Sequence, residues 1–313
     1  MTTRYPRQVA IDDRRKLDDR FRRRVCAVLH RAAASAARAA CAIAALTACN
    51  SLFGSDVHLV DGGSGGPQCS KGAEPCAASA VPVAGDWNGD GMDTPGLFDN
   101  GRWCITNVSG PGDVCDLRWG AAGDTPVVGD WNGDRFDSPG WYLDGFWNLQ
   151  GAGAGGEAAG FGWGSSPEQP VAGDWDGRGH DTPGSARGFS EHLSWALSNR
   201  NSSGGVDYNF TFGVEGAIPL VGDWDGNGTD TPASFIDGLW TFSNVNAQGG
   251  PDAASFRWGS PGDIPIVGDW NGDGFDTVGL YRDGTWMLAD DRIETIAGSG
   301  GPLAVTTFRW GTQ

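Results

Sequence analysis

From residue 81 onward the chain alternates short apolar runs with clusters of Gly, Asn and Asp. Within the runs, apolar residues recur at every second position: Trp103/Ile105, Trp147/Leu149, Trp195/Leu197, Trp240/Phe242 and Trp286/Leu288. A spacing of two sets both members on one face of a strand, and the clusters between runs are turn chemistry. Each such segment is preceded by a β-branched run (VPVAGDW, TPVVGDW, QPVAGDW, IPLVGDW, IPIVGDW) and a second run after a polar loop, as in TPGLFDNG and TVGLYRDG. It is followed by another pair at the same spacing: Leu117/Trp119, Phe161/Trp163, Phe210/Phe212, Phe256/Trp258 and Phe308/Trp310. The pattern predicts four strands per unit and no helix after residue 50.

The unit is a repeat. Its polar loop reads GDWNGDGMDT, GDWNGDRFDS, GDWDGRGHDT, GDWDGNGTDT and GDWNGDGFDT, beginning at Gly85, Gly129, Gly173, Gly222 and Gly268, with spacings of 44, 44, 49 and 46 residues. A period in that range marks stacked supersecondary units. One unit cannot bury its apolar face alone, so neighbours must cover it, and closing the row into a ring protects the sheet edges. The expected fold is all-β, a five-bladed β-propeller of four-stranded blades over 81–313, with repeats at 81–124, 125–168, 169–217, 218–263 and 264–313. An open β-repeat array is the alternative. Whether the termini share a blade is not written in the pattern.

The aromatic content fits this plan. Of 15 Trp, five lie in the loop phrase, five on the third strand and four on the fourth, where Phe212 takes the fifth place. Such regular placement is expected of core between blades rather than of sugar-stacking platforms. Only Trp141 stands outside it.

Charge divides the chain. Residues 1–48 carry 11 Lys and Arg against 4 Asp and Glu, while 49–313 carry 11 against 35, a balance near −24. Nucleic acid is thereby excluded as a partner, because phosphate neutralisation needs clustered Lys and Arg. Fifteen of the 35 acids sit in the five loops.

The basic segment 1–48 reads as an export signal. Arg31 and Arg38 border a run of small apolar residues too short to span a membrane, ending in Leu46-Thr47-Ala48-Cys49. Those four residues resemble a bacterial lipobox, which implies cleavage before Cys49 and a lipid on its sulfur; an ordinary secreted product is the alternative. The long charged stretch before Arg31 also suggests a start nearer Val25 or Val28. Residues 49–80, rich in Gly, Ser and Pro, read as a flexible tether. Four cysteines remain beyond Cys49, an even number that suggests disulfides in an exported chain. Cys104 with Cys115, on facing strands, is the expected pair, leaving Cys69 with Cys76.

The loops offer oxygens. Counting the Asp of GDW as position 1, the first loop presents Asp86, Asn88, Asp90 and Asp93, the second Asp130, Asn132, Asp134 and Asp137. The fourth presents Asp223, Asp225, Asn227 and Asp230, the fifth Asp269, Asn271, Asp273 and Asp276. Asp or Asn at positions 1, 3 and 5 followed by Gly is how a chain wraps Ca²⁺. The third loop has Arg178 at position 5 beside Asp174, Asp176 and Asp181, and the second has Arg135 for the turn Gly. Loops one and five are expected to bind best, two and four more weakly, three not at all. The alternative is that these side chains make Asx-turns to backbone amides.

The loop phrase and its periodicity resemble FG-GAP and VCBS-type repeats, as in the propellers of integrin alpha subunits. The resemblance covers 81–313 and implies calcium between the first two strands of each blade. It departs from that pattern at position 9, where Thr94, Ser138, Thr182, Thr231 and Thr277 replace the carboxylate.

Nothing in the sequence calls for an enzyme: no nucleophile–base motif, phosphate loop or zinc spacing occurs. The four histidines are His30, His58, His180 and His192, and a Glu191–His192 pair in the divergent third repeat is read as a solvated loop. The functional expectation is an exported, surface-tethered calcium-binding propeller recognising a protein or glycan. The alternative is a lectin, or a non-catalytic carbohydrate-binding component of a polysaccharide-processing system.

Overall fold

The computed structural model describes Cys76 and residues 80–110, 115–153, 156–248 and 252–311. Cys49 and Cys69 lie outside the described residues, so the lipobox, the tether up to residue 75 and any pairing of Cys69 lie outside them too, while Cys76 and Ala80, at the end of the segment read as tether, are buried in the core.

The described chain is a five-bladed β-propeller of four-stranded antiparallel sheets. Blade 1 comprises β1 (Val81–Gly85), β2 (Thr94–Asp99), β3 (Arg102–Ile105) and β4 (Cys115–Arg118); blade 2 comprises β5 (Thr125–Gly129), β6 (Ser138–Leu143), β7 (Phe146–Leu149) and β8 (Ala159–Gly162). In blade 3 are β9 (Gln169–Gly173), β10 (Thr182–Phe189), β11 (His192–Leu197) and β12 (Tyr208–Val214). Blade 4 holds β13 (Ile218–Gly222), β14 (Thr231–Ile236), β15 (Leu239–Ser243) and β16 (Asp252–Arg257). The fifth blade has β17 (Ile264–Gly268), β18 (Thr277–Arg282), β19 (Thr285–Ala289) and β20 (Val305–Arg309). Strands pair in chain order within every blade, and none is exchanged between blades. The first strands β1, β5, β9, β13 and β17 adjoin one another in a closed circle around the axis.

Local chemistry sets the hairpins. The second and third strands join through left-handed pairs such as Asn100-Gly101 (φ 51° and 87°) and Asp283-Gly284 (φ 47° and 78°). Both central residues at positive φ is the two-residue turn whose twist matches antiparallel strands. Packing then follows the period-two pattern. Trp103, Trp147, Trp195, Trp240 and Trp286 are each 0 % exposed, which makes them core. Their indole N–H groups donate to the carbonyls of Trp119, Trp163, Phe212, Trp258 and Trp310 at 2.9–3.2 Å, so none of these five buried donors is left unmet. Core clusters run across the seams: Leu97 and Cys104 of blade 1 pack with Ile266, Trp270 and Trp286 of blade 5.

Two expectations are corrected. A helix, α1 (Ile293–Ser299), interrupts blade 5 between β19 and β20. Ile293 and Ile296, three apart, turn one face into the core at β16, and Gly300 ends the helix in the left-handed conformation at φ 79°. The disulfide is Cys76–Cys104, with Cα atoms 6.0 Å apart, which replaces both expected pairs. In the β3–β4 ladder, Cys104 stands opposite Asp116 and Cys115 opposite Ile105, one step out of direct register. Cys104 is bonded to Cys76, and the backbone register does not pair it with Cys115. Cys76 instead packs beside Leu97 and Cys104 at the seam between blades 5 and 1.

Candidate functional site

The five acidic loops join the first strand of each blade to the second, so all five open on one end of the ring. The chain enters at Val81, the far end of β1, so the loop face lies opposite the point of entry.

Position 8, read as a calcium ligand, has another task. Oδ2 of Asp137 in blade 2 accepts the backbone N–H of Asp86 in blade 1 at 2.8 Å, while the N–H of Asp137 donates to the carbonyl of Asp86 at 2.9 Å. The pair recurs around the ring as Asp181 with Asp130, Asp230 with Asp174 and Asp276 with Asp223. Asp93 with Asp269 completes the circle. Each carboxylate thus latches its blade to the one before it. Burial, with neighbouring latch carboxylates adding to it, raises Asp93, Asp181 and Asp230 well above the usual carboxylate range. For Asp137 and Asp276, burial outweighs the N–H they accept and pushes them to about 7 and about 6. The position-9 hydroxyls turn inward as well: Thr94 donates to the Thr106 carbonyl at 2.6 Å and Thr277 to that of Ala289 at 2.7 Å.

Within the loops, side-chain oxygens face backbone amides. Oδ1 of Asp86 accepts the N–H of Gly89 and Asp90, and its Oδ2 accepts that of Gly91 at 2.8 Å. The position-1 to position-6 bond recurs at Asp130, Asp174, Asp223 and Asp269, at 2.6–2.7 Å. Asn88 Oδ1 accepts the N–H of Asp90, and Asp90 Oδ1 that of Met92. Asn132, Asp134, Asn227, Asn271 and Asp273 accept in the same way. Arg178 pairs with Asp176 at 3.3 Å, and Arg292 reaches Asp273 Oδ2 at 3.4 Å. Among the described residues, no three His, Cys, Asp or Glu side chains gather as a metal site. Position 8 therefore does not face the loop with the other three, which leaves the oxygens of positions 1, 3 and 5 as those a Ca²⁺ could use. Position 8 is withdrawn into the seam, position 1 accepts loop amides in all five blades, and Asn88, Asn132 and Asn271 at position 3 and Asp90, Asp134, Asn227 and Asp273 at position 5 accept in Asx-type turns.

The arrangement also creates a feature that the motif did not announce. At position 7, each blade lays a side chain over the position-4 glycine of the blade before it. Phe136 covers Gly89, where an added Cβ would meet the ring at 2.9 Å. Phe275 covers Gly226 at 2.6 Å and Met92 covers Gly272 at 2.9 Å, while Thr229 sits beside Gly177 and His180 beside Gly133. The result is a crown of Met92, Phe136, His180, Thr229 and Phe275, linked loop to loop around the axis. Met92 is 39 % and Phe136 40 % exposed. The scaffold beneath is fivefold, and the crown residues all differ except the two phenylalanines. In sequence, the signal was that position 7 varies more widely than any other position of the repeated phrase.

Elsewhere, Glu191 and His192 lie at the β10–β11 turn, on the opposite end from the loops, with His192 Nδ1 3.3 Å from the Gly213 carbonyl. Trp141, outside the Trp scheme, is half-buried beside Phe146, ring centroids 5.8 Å apart.

No family model matches the sequence, so the FG-GAP and VCBS resemblance has no family match beside it. No curated protein matches either. Among solved structures, the chain is similar to an Agrocybe aegerita lectin, described for specific recognition of non-reducing terminal N-acetylglucosamine. The identity is 12 % and the TM-score 0.41, over 73 % of this chain and 79 % of that one. It is also similar to BBS1N in complex with ARL6DN, soaked with mercury, at 9 % identity and a TM-score of 0.38, over 77 % of this chain and 84 % of that one.

Proposed function

We propose that the chain is a binding module, exported and tethered at the cell surface through Cys49, that recognises a protein or glycan with its loop face. The observation that carries this reading is the crown: side chains of different character on five nearly identical loops, each supported by its neighbour. A rigid frame with interchangeable tips is how a scaffold carries recognition. Binding needs no catalytic group, and the proposal is non-enzymatic.

The test is an array of peptides and glycans probed with the full chain and with a Met92→Ala/Phe136→Ala/Phe275→Ala variant. Ligands captured by the first and lost by the second support the reading; equal capture by both refutes it. Trp141 favours a second reading, a lectin with its site between blades 1 and 2. Its ring lies 3.1 Å from where a Cβ on Gly120 of blade 1 would stand, and an aromatic face paired with Phe146 suits a sugar ring. Loss of glycan capture in Trp141→Ala, with the crown intact, would select it.

A further inference from the structure

In blade 5 the crown already holds a cation. The Arg292 guanidinium carbon lies 3.5 Å from the centroid of the Phe275 ring, and Nε and Nη2 both reach Asp273 Oδ2 at 3.4 Å. Asp273 fixes the aromatic beside it, since its Oδ1 accepts the Phe275 N–H at 3.2 Å. An aromatic face at position 7 and a carboxylate at position 5 thus form two walls around one guanidinium. Both attractions are specific to a cation: the ring quadrupole draws it to the face, and the carboxylate takes its N–H groups.

Blade 2 repeats both walls. Asp134 Oδ1 accepts the Phe136 N–H at 3.0 Å, and the Phe136 ring is 40 % exposed. Nothing in blade 2 corresponds to Arg292, which stands directly before α1, an insertion belonging to blade 5. Among the described residues, the one cation on an aromatic face is Arg292. Asp134 Oδ2 accepts Asn132 Nδ2 at 2.9 Å and keeps acceptor capacity for a further donor. Arg135, between Asp134 and Phe136 in the chain, is exposed. The other blades lack the aromatic, with Met92, His180 and Thr229 at position 7.

We propose that Phe136 and Asp134 form a subsite for a guanidinium group of an incoming arginine-bearing polypeptide, with Arg292 on Phe275 as the protein's own filled copy. The proposal rests on the loop-face reading above. The balance near −24 over residues 49–313 supplies the complementary field that draws such a segment in.

The probe is a tetra-arginine peptide titrated calorimetrically into the full chain at low salt. Phe136→Leu keeps the volume and loses the π face, and is expected to weaken binding about two- to fivefold; Phe136→Trp restores it. Asp134→Asn is expected to weaken binding by a similar factor. Arg292→Ala, by emptying the blade 5 copy, is expected to add a second equivalent of bound peptide. Wild-type binding in both Phe136→Leu and Asp134→Asn overturns the subsite. If Met92→Ala then still weakens binding, the loop face survives without this subsite. If no loop-face substitution matters, both readings fall, and the peptide is held by net charge alone.

Discussion

Asp93 and Asp269, in the first and last blades, hold each other by two hydrogen bonds of 2.8 Å, one to a carboxylate and one to a main-chain carbonyl. The same exchange joins every other pair of neighbouring blades, so the propeller is closed by a belt of five carboxylates as well as by its aromatic core.

Removing one carboxylate should expose the strength of that belt. Asp137→Ala leaves the Asp86 N–H without its partner, and the expected loss is about 1–3 kcal/mol in denaturant unfolding. Asp137→Asn retains an acceptor oxygen and is expected to stay within about 0.5 kcal/mol of the parent, or above it at high pH. Equal losses in the two variants would show that the side chain acts through packing.

Stability should also fall with rising pH. Asp137 at about 7 and Asp276 at about 6 lie above the unfolded carboxylate value near 3.9. Between those values the folded chain binds more protons than the unfolded one. Their contribution is therefore complete below about pH 4 and is lost as pH rises through 6 and 7. The belt titrates together, so the transition is collective. Thermal melts at pH 5 and pH 8 should differ, and the gap should shrink in Asp137→Asn/Asp276→Asn. A gap of the same size in that variant removes these two groups as its source.

How much of this was legible in the sequence follows the distance over which each feature is encoded. Strands, turns and blade count are local, carried by Trp103 and Ile105 two apart or by Asn100-Gly101 at a hairpin. Asp137 was read as serving its own loop because its sequence neighbours are Asp130, Asn132 and Asp134. Its partner Asp86 lies 51 residues away in another blade, and no local pattern encodes it. The cysteine pairing missed for a related reason: proximity of β3 and β4 was legible, but the single step of register was not. The seven residues of α1 are too few for a periodic signal, with only Ile293 and Ile296 to carry it.

The Cys76–Cys104 bridge spans 28 residues and should matter accordingly. Chain-entropy arguments assign such a loop roughly 3–4 kcal/mol. Cys76→Ser/Cys104→Ser is expected to lower the melting temperature, and Cys115→Ser to leave this bridge intact in peptide mapping. A Cys104–Cys115 peptide in the parent digest would contradict the assignment.

Chelation is expected to do little. The loop carboxylates already satisfy backbone amides, so EDTA should leave the calorimetric melting temperature unchanged. A marked drop, restored by added Ca²⁺, would reinstate the metal reading for at least one loop.

The separation of the latched residues carries a consequence for how the molecule assembles. Four latches bridge 51, 51, 56 and 53 residues, while the Asp93–Asp269 latch bridges 176. Joining ends that far apart raises the loop-closure cost by about 1 kcal/mol over a single-repeat span. On a ribosome the first blade must also wait for the fifth to emerge. Until then its Leu97 face lacks the blade 5 side chains that cover it in the finished ring. That face is the surface a nascent chain would most readily offer to a chaperone, or to the unfinished edge of another copy.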